Sequence, residues 1–221
     1  LTRRRGGNYR RQVPRNVICI SREFGAGGEE VGVLAARELG FRCLDGEILA
    51  RAAEKGALDA GTVADAEQRR SIARRLLDAI GNSAAIAPEA YAHMPPQEIV
   101  IGARQDTVRS LIRQAIDDFA DDGYAVIVAH AASHALAGRA GVLRVLVTGS
   151  PSTRAARIRG DAATEEESLR QITESDRARA AYLSEFYGVK DEQAIHYDLV
   201  VSTDVLTPQE AAEIVVRAAQ V

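Results

Sequence analysis

Val17-Ile18-Cys19-Ile20-Ser21-Arg22-Glu23-Phe24-Gly25-Ala26-Gly27-Gly28-Glu29-Glu30 is the stretch that decides the fold. Its first residues form a short apolar run of strand type, Gly25, Gly27 and Gly28 make the turn, and a segment of helical period runs from about Gly28 to Leu39, where Gly40 stops it. At such a strand-to-helix turn the backbone N–H groups converge on one point, and the helix dipole adds partial positive charge there. The turn therefore suits an anion, phosphate above all; a tight turn that holds no ligand is the other reading of the same residues. The dinucleotide fingerprint GxGxxG would start at Gly25 and Gly27 but meets Glu30 where it needs Gly or Ala. The triphosphate loop GxxxxGK[ST] meets Gly28 at its lysine position and finds no Ser or Thr at its hydroxyl position.

Outward from the turn, short β-branched runs alternate with longer segments of helical period, the pattern of βα units wound into a parallel sheet. Residues 41–44 read as a second strand, with Asp45 placed to cap the next helix. A helix of residues 96–119 turns Ile101, Val108, Leu111, Ile112 and Ile116 inward. Residues 124–129 and 142–147 are continuous apolar strands, as expected of central strands buried on both faces. Ser150 or Ser152 then caps a helix through Arg154 and Arg157, Thr164 opens a longer one towards Tyr187, residues 197–201 form the last strand, and Thr207-Pro208 starts a terminal helix. Between Gly56 and Gln97 a helical period breaks into a Pro- and Gly-containing stretch, an insertion or flap.

The chain has 221 residues, 46% of them apolar and 27% charged, which fits one domain with its own core. No apolar run approaches the roughly 18 residues of a membrane span, and no apolar leader opens the sequence. Cys19 and Cys43 lie in strand-like runs without CxxC spacing and read as small buried hydrophobes, which favours a reducing cytoplasm over a disulfide or zinc scaffold. The formal charge is −3, but Arg3, Arg4, Arg5, Arg10, Arg11 and Arg15 all precede Val17; without them 22 basic residues face 31 acidic ones, or −9. So acidic a body argues against nucleic-acid binding except through the basic arm of residues 1–15, which also reads simply as a solvated tail.

These residues resemble the cytidylate kinase-like proteins, relatives of bacterial cytidylate kinases among the P-loop nucleoside monophosphate kinases. The resemblance runs from Val17 nearly to Val221. It rests on Ile20-Ser21-Arg22-Glu23-Phe24-Gly25-Ala26-Gly27-Gly28 with Glu30 and Gly32, on Leu39-Gly40 to Asp45, on Val126-Ile127-Val128, and on Ser150-Pro151 with Arg154 and Arg157. Asp176 with Arg179, Ala180 and Tyr182, then Tyr187-Gly188, and Tyr197-Asp198-Leu199-Val200 with Thr203 complete it.

The resemblance implies an α/β fold of the P-loop NTPase type, a three-layer sandwich with a five-stranded parallel sheet. It implies one domain over residues 16–221, with an acceptor-side insertion at 52–96 and a lid near 155–185. The implied activity is ATP- and Mg²⁺-dependent phosphoryl transfer to a nucleoside monophosphate such as CMP or to another small phosphate acceptor. The loop would hold the nucleoside triphosphate through Ser21, Gly25, Ala26, Gly27, Gly28, Glu29 and Glu30, with Glu30 as the Mg²⁺ ligand. Because the lysine is missing, the positive charge that phosphoryl transfer needs would come from Arg22, with Arg157 and Arg179 from the lid, and Arg177 nearby. Asp45, Arg51, His130 and Asp176 fall in the acceptor site.

Each of these residues also has a plain reading: surface salt bridges for the arginines, a cap for Asp45, a solvent-facing helix position for Arg51. His130 departs from the family, which shows Gly-Arg where this chain has Ala129-His130; imidazole is no permanent bidentate cation. His130 and His134 share metal-binding spacing but lack a third ligand. The alternatives are a catalytically degenerate module that binds a nucleotide or phosphometabolite, and a phosphate-cradle protein acting on a non-nucleotide substrate. A homodimer is compatible with the long helices, although no heptad argues for it.

Overall fold

The computed structural model describes residues 15–44, 48, 51, 52, 55, 101–128, 131–160 and 163–221, and the side chains of the long helix from 110 onward. Asp45, His130, the arm before Arg15 and most of the expected insertion lie outside the described residues.

The elements in chain order are β1 (Val17–Arg22), α1 (Gly28–Leu39), β2 (Arg42–Leu44), α2 (Ile101–Asp122), β3 (Ala125–Val128), α3 (Ala132–Ala135), β4 (Val142–Thr148), α4 (Pro151–Ile158), α5 (Glu165–Tyr187), a 3-10 turn (Ala194–His196), β5 (Leu199–Ser202) and α6 (Pro208–Ala219). The strands form one sheet in the order β2-β3-β1-β4-β5, every pair parallel. β1 sits at the centre, with Ile18 opposite Val126 on one side and Leu143 on the other.

Side chains alternate across a strand, so the apolar runs feed two cores. Val17, Cys19, Ala125 and Ile127 face α2 and α3 through Leu111, Ile112, Ile116, Phe119 and Leu136. Ile18, Ile20, Val126, Val128, Leu143, Val145 and Val147 face α1 and α6 through Val31, Ala35, Ala36, Ala212, Val215 and Val216. Cys19 is fully buried in the first of these cores and burial pushes its thiol up to about 12, so it packs as an inert apolar group. The result is three layers, as the βα alternation implies.

The helix ends follow local chemistry. Thr164 and Glu167 form a capping box at α5, as do Thr207 and Glu210 at α6, where Pro208 takes the first helical position. Ser150 caps α4, settling the choice between Ser150 and Ser152. Gly40 and Gly188 close α1 and α5 in the left-handed conformation. Several boundaries differ from the sequence reading by a few residues, and two of the differences have a visible cause. Tyr124 turns to φ +50° before β3 instead of joining it. Tyr197 stands outside β5 because its side chain is drawn into a buried polar cluster. Among the described residues no helix is long and apolar enough to cross a membrane.

The helices that follow β1 and β3, α1 and α3, lie on opposite faces of the sheet. In an open parallel sheet the crevice outside the carboxyl ends of such strands is where ligands bind.

Candidate functional site

The turn after β1 is built from the backbone outward. Gly25 and Gly27 both adopt φ +79°, and Gly27 is the N-cap of α1. A Cβ on Gly25 would also lie 2.8 Å from the Arg154 carbonyl oxygen, so both conformation and space require glycine there. Thr203 Oγ1, buried beyond β5, donates to the Ala26 carbonyl at 2.9 Å, and Arg157 Nη1 donates to the Gly25 carbonyl at 2.9 Å. A trans peptide points its N–H away from its C=O, so fixing the Ala26 carbonyl turns the Gly27 N–H to the other side. The first intrahelical bond is from Val31 N–H to the Gly27 carbonyl, 3.1 Å, which places the N–H groups of Gly28, Glu29 and Glu30 ahead of the helix ladder. Such a geometry, with the α1 dipole behind it, can receive an anion.

Arg22, the last residue of β1, lies across the start of α1. A Cβ on Gly28 would stand 2.5 Å from Arg22 Cβ, 3.2 Å from its Cδ and 3.3 Å from its Cγ. Arg22 Nε pairs with Glu29 Oε1 on the first turn, where Glu29 and Glu30 are both exposed.

Beneath the turn is Arg154, only 3% exposed. Its Nε donates to the Gly149 carbonyl at 2.9 Å, Nη1 to the Phe24 carbonyl at 3.4 Å, and Nη1 and Nη2 each to an Asp176 carboxylate oxygen at 2.8 Å. Burial works against this charge, and the Asp176 hydrogen bonds with the fields of Glu23 and Asp176 outweigh it, holding the guanidinium above the ordinary arginine value. Glu23 accepts from Thr148 Oγ1 at 2.5 Å and from the Gly149 N–H at 3.3 Å, which ties the turn to the end of β4. Arg157 completes the seam by donating to the Thr203 carbonyl at 3.2 Å.

Arg179 faces a second polar cluster. Its Nε and Nη2 hold Glu192 at 2.8 and 2.5 Å, Tyr197 Oη donates to the same carboxylate, and His134 Nε2 lies 3.1 Å from Tyr197 Oη. Burial acts to raise Glu192, but hydrogen bonds from His134 and Arg179 and the Arg179 charge carry it well below the usual carboxylate range. Burial, and then the adjacent Glu192, push the Tyr197 phenol up. Ser21, buried at the end of β1, donates to Ser133 Oγ at 3.0 Å on the α2–α3 side.

Arg22, the glycine turn and Arg157 thus meet at the carboxyl end of β1, and Asp176 joins them through Arg154. Arg51 does not. Its guanidinium stacks over Phe119 at 5.2 Å, with Asp118 Oδ2 at 4.0 Å, and Arg42 at the start of β2 approaches the same ring at 5.7 Å. That is the amino end of the strands, away from the turn. Glu30 is exposed on the first turn of α1, and among the described residues no group of three or more His, Cys, Asp or Glu side chains gathers as for a metal ion. Asp198, at the edge of the last strand, pairs with Arg144 at 2.8 Å.

The sequence reading missed Glu23 and the brace formed by Arg154, and gave Thr203 no role in shaping the turn. Arg154 carried a faint signal, since it precedes Ala155 on the buried side of α4 while Arg157 is exposed. Its partner Asp176 sits on another helix, and nothing in local sequence pairs the two.

One solved structure agrees with this architecture. A solved structure of an uncharacterized protein from Eubacterium ventriosum is similar at 16% identity with a TM-score of 0.62, covering 92% of this chain and 97% of that one. A shikimate kinase from Bacteroides thetaiotaomicron aligns at 12% identity with a TM-score of 0.49, over 93% of this chain and 98% of that one. No curated protein matches the sequence. The cytidylate kinase-like family matches residues 17–205, from the first residue of β1 to just past β5, and the chain belongs to that family.

Proposed function

We propose that this protein transfers a phosphoryl group from ATP, with Mg²⁺, to a small phosphate acceptor of the nucleoside monophosphate class, CMP being the first to test. The observation that carries the reading is the turn itself: left-handed Gly25 and Gly27, carbonyls tied back by Thr203 and Arg157, the α1 N-terminus open, and Arg22 lying across Gly28. Phosphoryl transfer asks the protein for positioning and positive charge more than for covalent chemistry. The glycine turn would hold the β- and γ-phosphates by backbone N–H groups, and Arg22 would spread the charge of the group in transfer. Glu30 would offer a carboxylate to Mg²⁺, which keeps most of its shell as water and phosphate oxygens and needs no protein cage. Arg157 would keep the turn in shape from beneath, and Arg179 would contribute from α5 only on release from Glu192. Asp176, bound to Arg154, would support the turn through that link.

One observation favours the second reading, a binding module without turnover. Arg22, Arg157 and Arg179 are each engaged by a protein acceptor: Glu29, the Gly25 and Thr203 carbonyls, and Glu192. Transfer of label from γ-labelled ATP to a panel of nucleoside monophosphates and small phosphorylated metabolites separates the two. Labelled product establishes the kinase reading; saturable MgATP binding with no labelled product on any acceptor replaces it with the binding module.

A further inference from the structure

We infer that positions 22 and 28 have exchanged the glycine and the cation of the phosphate loop: Arg22 supplies the charge that a lysine at 28 would supply, and its presence favours glycine at 28. The ligand half of this inference rests on the phosphate-binding reading above; the packing half rests on the close approach of positions 22 and 28 alone.

Laid on this chain, the triphosphate-loop pattern puts its first glycine at 22, its second at 27 and its lysine at 28. The chain has Arg22, Gly27 and Gly28. Gly28 is not among the positive-φ residues and is the first residue of α1, so its backbone conformation does not call for glycine. The neighbouring side chain does. The closest approach of a Cβ at 28 would be 2.5 Å, to Arg22 Cβ, an atom whose position the backbone fixes and no rotamer change can move. On this backbone two residues with Cβ atoms do not fit at 22 and 28 without a shift of the main chain, so glycine at one of them is favoured whichever carries the charge.

The direction of the Arg22 stem supports the exchange. Its Cγ and Cδ run past Gly28, and Nε reaches Glu29 on the first turn of α1, the end towards which the N–H groups of the cradle point. Arg22 is the more enclosed of the pair, its side chain 20% exposed against 53% for Glu29. Glu29 is therefore the partner free to swing into water when phosphate oxygens arrive, and the guanidinium can grip two of them at once.

The test is a cycle of Arg22→Gly, Gly28→Lys and the double variant Arg22→Gly/Gly28→Lys, each measured for melting temperature and for affinity towards MgATP and tripolyphosphate. Gly28→Ala in the Arg22 and Arg22→Gly backgrounds repeats the packing half without the bulk of lysine. Arg22→Gly is expected to fold and to weaken both anions by about tenfold or more. Gly28→Lys and Gly28→Ala should lower the melting temperature in the Arg22 background and not in the Arg22→Gly background, and the double variant should recover most of the anion affinity. Equal effects of Gly28→Ala in both backgrounds would overturn the packing half. Unchanged affinity in Arg22→Gly, or a wild type that binds neither anion, would overturn the cation half. Binding that follows the cycle without label transfer sinks the kinase reading and leaves the exchange standing.

Discussion

Replacing Arg154 by methionine tests how the turn is held. Arg154→Met keeps the length of the stem and removes a guanidinium that is 3% exposed and bound to Asp176, Gly149 and Phe24. Breaking a buried ion pair by removing one partner costs about 3–5 kcal/mol, because the other charge is left uncompensated. Asp176 has a side chain 37% exposed, so water re-solvates part of it and the lower end of that range applies. Phe24 and Gly149 are only half-buried residues, so the loss of the bonds to their carbonyls adds about 1 kcal/mol together. The expected loss is about 3–4 kcal/mol, which for a chain of this size lowers the melting temperature by roughly 6–16 °C. Arg154→Lys keeps a charge for Asp176 but cannot also reach both carbonyls, and should lose about 1–2 kcal/mol. Urea unfolding followed by two probes measures the loss. Hydrogen exchange of the amides from Glu23 to Glu30 reports the turn, and should quicken in Arg154→Lys while the amides of α5 stay protected. A loss below about 1 kcal/mol in Arg154→Met, or unchanged exchange of the turn in both variants, would refute the view that Arg154 braces it.

Gly25→Ala should destabilise by about 2–4 kcal/mol, since a left-handed residue acquires a Cβ at 2.8 Å from the Arg154 carbonyl oxygen; thermal unfolding checks it, and a neutral result would mean that α4 gives way. Glu29→Gln, which frees Arg22 from its counter-ion, should tighten MgATP binding by about two- to fivefold in a titration, and weaker binding would show that Glu29 helps to hold the ligand. Glu192 has a folded pKa below its unfolded value of about 4.3, so its contribution to stability is full above that pH and fades as the pH falls towards the folded pKa. Melting temperature should therefore fall more steeply below about pH 4.3 in the wild type than in Glu192→Gln. Parallel curves would mean that Arg179, His134 and Tyr197 hold that carboxylate no better than water does.

Much of the fold was legible because local chemistry repeats with the period of each element. The Gly28–Leu39 helix and the Thr164 start of α5 follow from glycine stops and capping residues that act within one turn of themselves. The family resemblance added the five-stranded parallel sheet, which the strand pairing bears out. Tyr197 shows where this reading fails: it continues a β-branched run, yet Glu192 and His134 draw its phenol out of the strand. Arg51 shows a second limit, since helical period says which side of a helix is buried and not that an aromatic ring at the amino end of the sheet will take the guanidinium.

By itself, then, the sequence determined the class of the main strands and helices, the place and glycine content of the turn after β1, and the lack of a lysine at position 28. Those depend on interactions between residues a few positions apart, which any stretch of chain carries with it. Only the tertiary structure decided that Arg154 pairs with Asp176, that Arg179 pairs with Glu192, and that Arg22 fills the space a side chain at 28 would need. These contacts join different elements, and their partners are set by the strand order and by the helix layer that packs on each face, neither of which periodicity records.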